Sequence, residues 1–70
     1  MTETETLPDT PKLTRPDGSP VRALVVDDEP SLADLVSMAL RYEGWDVKSA
    51  LSGEDAVATA KSFQPDIVVL

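Results

Sequence analysis

The apolar run Val21-Arg22-Ala23-Leu24-Val25-Val26 ends abruptly on three acidic residues, Asp27-Asp28-Glu29, and this junction constrains the fold more than any other feature. A near-continuous apolar run fits a strand buried on both faces, the kind found in parallel sheets flanked by helices. Adjacent carboxylates repel each other. At the end of a buried strand they are tolerated only where water, a cation or a hydrogen-bond donor offsets the repulsion. In open α/β sheets ligands sit at the carboxyl ends of the strands. The junction therefore predicts a paired-carboxylate metal site where such a fold places chemistry.

The remaining pattern is regular. Pro30 can open a helix, because its missing N–H would be unpaired in the first turn anyway. Leu32, Leu35, Val36, Ala39 and Leu40 then recur at the spacing of a core-facing helical stripe. Gly44 suits the left-handed position that closes this helix, and Trp45 can supply the hydrophobic contact of that cap. Trp45 to Ala50 reads as a short strand whose one side carries Asp46 and Lys48, an edge-like pattern. Ser52 followed by Asp55 resembles a capping box. Ala56, Val57, Ala60 and Phe63 make a second stripe, and Pro65 stops the helix. Ile67-Val68-Val69-Leu70 is apolar throughout and predicts an interior third strand.

The order is strand, helix, strand, helix, strand. Right-handed crossovers, two interior strands and one edge strand give the spatial order 2-1-3. The path reverses direction at the first strand, so the two helices take opposite faces. The topological switch point then lies between strands 1 and 3, where Asp27 and Asp28 emerge.

Residues 1–20 differ from the rest. They hold four of the six prolines and five threonines, with only Met1, Leu7 and Leu13 apolar. Too little surface is available for burial to offset ordering, which predicts a disordered leader and a folded unit over 21–70. Seventy residues allow one small domain. The absence of cysteine excludes disulfides and thiolate metal sites. There is no apolar stretch of the ~18–20 residues that span a membrane and no signal-peptide pattern, so the cytoplasm is the default compartment. A net charge of −7 without a basic cluster argues against direct nucleic-acid binding by this segment.

Acidic residues near a helix N-terminus ordinarily do no more than complement its dipole. Three features favour a site at Asp27 and Asp28: the pair ends a buried strand, the switch point coincides with it, and one or two carboxylates with waters suit Mg²⁺. Glu29 reads as dipole complement and solvated surface. Ser52 reads as a cap, since the chain has no histidine to act as its base. Trp45 reads as packing, Asp66 as turn chemistry at the far end of a strand, and Asp34, Asp46, Glu54 and Asp55 as solvated faces and caps. A dinucleotide-binding glycine loop is absent.

Taken as a series, Leu24 to Pro30, Leu40 to Trp45, Ala50 to Ala56 and Pro65 to Leu70 resemble the receiver domain of two-component response regulators, of the type that precedes a winged-helix output domain. The resemblance covers about Val21 to Leu70. It implies a flavodoxin-like (CheY-like) doubly wound parallel sheet, of which this chain holds the N-terminal half, truncated at the end of the third strand. It further implies a signalling domain rather than an enzyme, one that accepts a phosphoryl group from a sensor histidine kinase. By position Asp28 would ligate Mg²⁺ directly and Asp27 largely through water. The phosphoacceptor aspartate would be the residue immediately after Leu70. DNA would be contacted only through a C-terminal output domain, no membrane is implied, and a homodimer of the full-length protein stays open. Two alternatives remain: a degenerate receiver serving as a binding module, and a haloacid-dehalogenase-like phosphohydrolase. The latter wants Asp-x-Asp-x-Thr or Val, whereas Asp27 is followed by Asp28 and Glu29 and no threonine follows.

Overall fold

The structure, a computed structural model, describes residues 13–70. Residues 1–12, the larger part of the predicted leader, lie outside the described residues. Five elements follow one another: β1 (Arg22–Val26), α1 (Pro30–Tyr42), β2 (Asp46–Ala50), α2 (Gly53–Phe63) and β3 (Ile67–Val69). The strands form one parallel sheet in the order β2-β1-β3. β1 is the buried centre, and β2 is an edge on which Val47 and Ala50 are buried and Asp46, Lys48 and Ser49 exposed.

Side-chain alternation divides the sheet into two faces. Ala23 and Val25 of β1, Val47 of β2 and Val69 of β3 meet α1 through Ala33, Val36 and Leu40. The opposite face carries Leu24 and Ala50, and there Lys48 lies 5.5 Å over the ring of Phe63 from α2. The helices therefore cover opposite faces, and the sheet is doubly wound.

The face of α1 is rotated from its predicted stripe, whereas α2 keeps Ala56, Ala60 and Phe63 of its stripe and loses only Val57. The inward face of α1 is Ala33, Val36, Ser37 and Leu40, while Leu32, Leu35 and Ala39 turn outward. On α2 the inward residues are Ala56, Thr59, Ala60 and Phe63, and Val57 is exposed. Small side chains let a helix lie close to a sheet, so Ala33 and Ser37 take the contact that the larger leucines would hold open. Ser37 is 2% exposed and its hydroxyl has no hydrogen-bond partner among the described residues. Removing an unpaired buried hydroxyl and gaining alanine's helix propensity should make Ser37→Ala more stable by ~0.5–1 kcal/mol in urea denaturation of the full-length protein.

The helix ends follow the local sequence. At the close of α1, Gly44 (φ +94°) donates its N–H to the Arg41 carbonyl and Trp45 to the Leu40 carbonyl. This is the two-bond Schellman arrangement, and Trp45 packs on the α1-side core. The Ser52 hydroxyl accepts the Asp55 N–H at 3.1 Å, capping α2. Ser52→Ala should lower stability by ~1 kcal/mol in the same denaturation measurement.

Residues 13–20 are not a structureless extension. Thr14 and Pro20 form an antiparallel bridge around a turn closed by Arg15 N–H to Ser19 O and Gly18 N–H to Arg15 O. Asp17 accepts both the N–H and the hydroxyl of Ser19, at 2.9 and 2.6 Å. Pro16, Asp17 and Gly18, which fall in the predicted leader, here build a turn with side-chain support. The hydrogen bonds from Ser19, its hydroxyl first, hold the Asp17 carboxyl below its ordinary 3.8. A depressed carboxyl contributes stability present above that ordinary value and lost as pH falls through the lower, folded one. The Ser19 amide shift should therefore titrate with a midpoint below 3.8, and a midpoint at or above it would contradict this turn.

Candidate functional site

Asp27 continues β1 by one residue: its N–H donates to the Ala50 carbonyl at the end of β2, 3.1 Å away. The chain then turns. Asp27 Oδ1 accepts the Glu29 N–H at 2.9 Å, an Asx turn that reverses the backbone between strand and helix. Glu29 is the N-cap of α1; its carbonyl accepts the N–H groups of Leu32 and Ala33, and its side chain makes no capping bond. Pro30 follows in the first turn of α1. Local chemistry thus holds Asp27 half-buried against the sheet and leaves Asp28 and Glu29 exposed.

The two carboxylates differ in what they have free. One Asp27 oxygen is occupied by the turn and the other is available. Asp28 has no hydrogen-bond partner among the described residues. The sole ion pair among those residues is Arg15 with Asp66, so no side chain of this region neutralises either carboxylate. No group of three or more metal-ligating side chains is assembled among the described residues. A two-carboxylate, all-oxygen set with open solvent access suits a hard cation that keeps most of its waters. It does not suit a fully protein-enclosed one.

The other predicted assignments fall out as read: Ser52 caps, Trp45 packs, and Asp34, Asp46, Glu54 and Asp55 are exposed. Two residues do more than their local sequence announces. Asp66 accepts the Arg22 N–H at 3.0 Å, returns its own N–H to the Arg22 carbonyl at 2.8 Å, and pairs with Arg15 at 3.3 Å. Arg41 reaches from α1 to the Val47 carbonyl at 3.1 Å and so caps the free edge of β2. Asp66 joins elements distant in sequence, while Arg41 reaches only across the turn from α1 to β2; residue type alone carries no signal of either. Among the described residues no helix is long and apolar enough to cross a membrane.

Comparison with known proteins places this arrangement. No family model matches the chain. It is 55% identical to the transcriptional regulatory protein TrcR of Mycobacterium tuberculosis over 60 residues, which are 86% of this chain and 23% of that protein. It is 61% identical over 56 residues to the probable transcriptional regulatory protein TcrX of the same organism, covering 80% of this chain and 24% of the relative. The DNA-binding response regulator MtrA of Mycolicibacterium smegmatis is 43% identical over 49 residues, 70% of this chain and 22% of MtrA. The chain thus spans about a quarter or less of the length of these relatives. They do not favour the phosphohydrolase or binding-module alternatives. With a β2-β1-β3 parallel sheet, an acidic pair at the end of its central strand and these relatives, the chain is a segment of a response-regulator receiver domain.

Proposed function

We propose that this segment supplies the acidic half of a phosphoryl-accepting site, and that the protein to which it belongs couples a sensor histidine kinase to transcription. The observation that carries the reading is register. Ala23, Leu24 and Val25 of β1 lie beside Ile67, Val68 and Val69 of β3. Continued by two positions, the same register sets the residue after Leu70 beside Asp27. An aspartate there would face the two carboxylates across the switch point.

Three carboxylates so close together could not carry a phosphoryl group without a counter-charge. The donor set fits Mg²⁺, with Asp28 as the direct ligand and Asp27 acting largely through water by its free oxygen. When bound, the ion supplies charge neutralisation to the phosphoryl oxygens. The part of this chain is positioning. The Asx turn orients Asp27, and the start of α1 keeps Asp28 open to solvent. In the transfer itself the acceptor's carboxylate oxygen bonds to phosphorus while the donor histidine's N–P bond breaks, and the pair of electrons leaves with the imidazole nitrogen. DNA contact is assigned to an output domain outside this segment, consistent with the absence of a basic cluster here.

The test is incubation of the full-length protein with a small acyl phosphate or a phosphorylated histidine kinase. Incorporated phosphate should be Mg²⁺-dependent and released by hydroxylamine, as an acyl phosphate is. No incorporation, or a hydroxylamine-stable ester, would overturn the reading.

A further inference from the structure

β3 makes only three register pairs with β1, and Val68 at its centre is half exposed, so neither ladder length nor burial holds this strand firmly. Register in a weakly buried strand needs another determinant, because a slip of one residue turns every side chain to the other face. Asp66 stands one residue before β3 and closes a ring with Arg22 at the start of β1. Its N–H donates to the Arg22 carbonyl, and its Oδ2 accepts the Arg22 N–H. The side chain so takes the place of a missing ladder carbonyl, with the extra strength of an ionised acceptor. The same Oδ2 lies 3.3 Å from Arg15 Nε, and Arg15 sits in the turn bridged between Thr14 and Pro20. The Arg22 guanidinium in turn donates to the Phe63 carbonyl at the end of α2, 3.1 Å away. The N-terminal turn, β1 and the start of β3 therefore meet at the Asp66 carboxylate, and Arg22 links the same corner to the close of α2.

We propose that Asp66 is a register pin: a positioning residue that sets where the far end of β3 arrives at the Asp27–Asp28 site, with Arg15 tying the N-terminal turn to the same pin. The pin itself is independent of function, while its effect on phosphoryl uptake rests on the function proposed above. Charge is not its essential property. What counts is an acceptor oxygen at the reach of a one-methylene side chain, with Arg15 as a partly exposed, weaker tie.

The experiment compares Asp66→Ala, Asp66→Glu, Asp66→Asn and Arg15→Ala in the full-length protein. It reads amide exchange at Arg22 and Asp66, and the rate of phosphoryl uptake from a small acyl phosphate. Asp66→Ala should speed Arg22 exchange by about tenfold or more, the loss of one charge-assisted bond. Uptake should slow with an unchanged Mg²⁺ half-saturation. Asp66→Asn keeps the acceptor oxygen and should stay within about threefold of the parent on both readouts. Asp66→Glu keeps the charge but sets it one methylene too far, so it should behave like Asp66→Ala; it decides the matter if the alanine variant does not fold. Arg15→Ala should speed exchange at Gly18 and Arg15 while leaving the Arg22 amide protected. Unchanged Arg22 exchange in the Ala and Glu variants, or a loss in Asp66→Asn equal to that in Asp66→Ala, would overturn the pin. Absence of phosphoryl uptake in the unsubstituted protein would overturn the proposed function and leave the exchange data to judge the pin alone.

Discussion

Asp28→Asn is expected to lower phosphoryl uptake by the full-length protein about 10²–10³-fold, the size seen when one preorganised electrostatic group is removed from a reacting centre. The substitution keeps shape and volume and removes one charge from an exposed carboxylate that no cation among the described residues pairs. In the function proposed above the lost property is affinity for the ion, so the deficit should shrink as Mg²⁺ is raised. Asp27→Asn should cost less, about 10–100-fold, as an outer carboxylate acting through water does. Asparagine can still accept the Glu29 N–H through its own Oδ1, so the Asx turn should survive. Asp27→Ala removes charge and turn together and should fall below Asp27→Asn. Glu29→Gln should change uptake by less than about twofold, since Glu29 makes no capping bond and an exposed charge there contributes only ~0.3–1 kcal/mol to the helix. Uptake rates against Mg²⁺ concentration for the four variants are the measurement. A Glu29 defect larger than that of Asp28 would refute the assigned roles.

The isolated 70-residue chain is expected to melt broadly and to self-associate. Its core is small: Leu24 and Val25 are the large side chains that are fully buried. Against that, the outward face of α1 presents Leu35 at 62% exposure and Tyr42 at 89%, with Leu32 and Met38 beside them. Val57 and Val68 are open on the α2 side, and Leu70 is 93% exposed. Apolar surface of this extent on so small a body favours association. The two sheet edges also differ. Arg41 caps the Val47 carbonyl on β2, whereas no side-chain bond among the described residues covers the outer edge of β3. An uncovered apolar edge strand is a template for pairing. Sedimentation and thermal melts at several concentrations test this, and a sharp, concentration-independent transition of a monomer would contradict it.

Much of this protein is written in residue order. The abrupt change from Val26 to Asp27, the helix starts at Pro30 and Ser52, and the stops at Gly44 and Pro65 are local signals, because strand burial, capping and backbone restriction act over a few residues. Handedness then leaves few ways to connect the elements, so the order β2-β1-β3 and the carboxylates at its switch point are legible in the sequence. The helix faces were less legible. Leu32 and Leu35 continue the periodicity as well as Ala33 and Ser37 do. Which set turns inward depends on how closely α1 can approach Ala23, Val25 and Val47.

Contacts across the chain were beyond the sequence altogether. Asp66 reads as an ordinary residue after proline until β1 is laid beside it, when its carboxylate meets the Arg22 amide and Arg15. Pro16, Asp17 and Gly18 read as a structureless leader until their turn is seen to close on itself and on that same aspartate. The sequence by itself determined the elements, their order and the acidic pair, since each follows from chemistry within a turn or a strand. Only the tertiary structure decided which apolar stripe is core, where β3 is pinned and which edge is capped. Those outcomes turn on how packed elements approach one another in space, which residue order does not state.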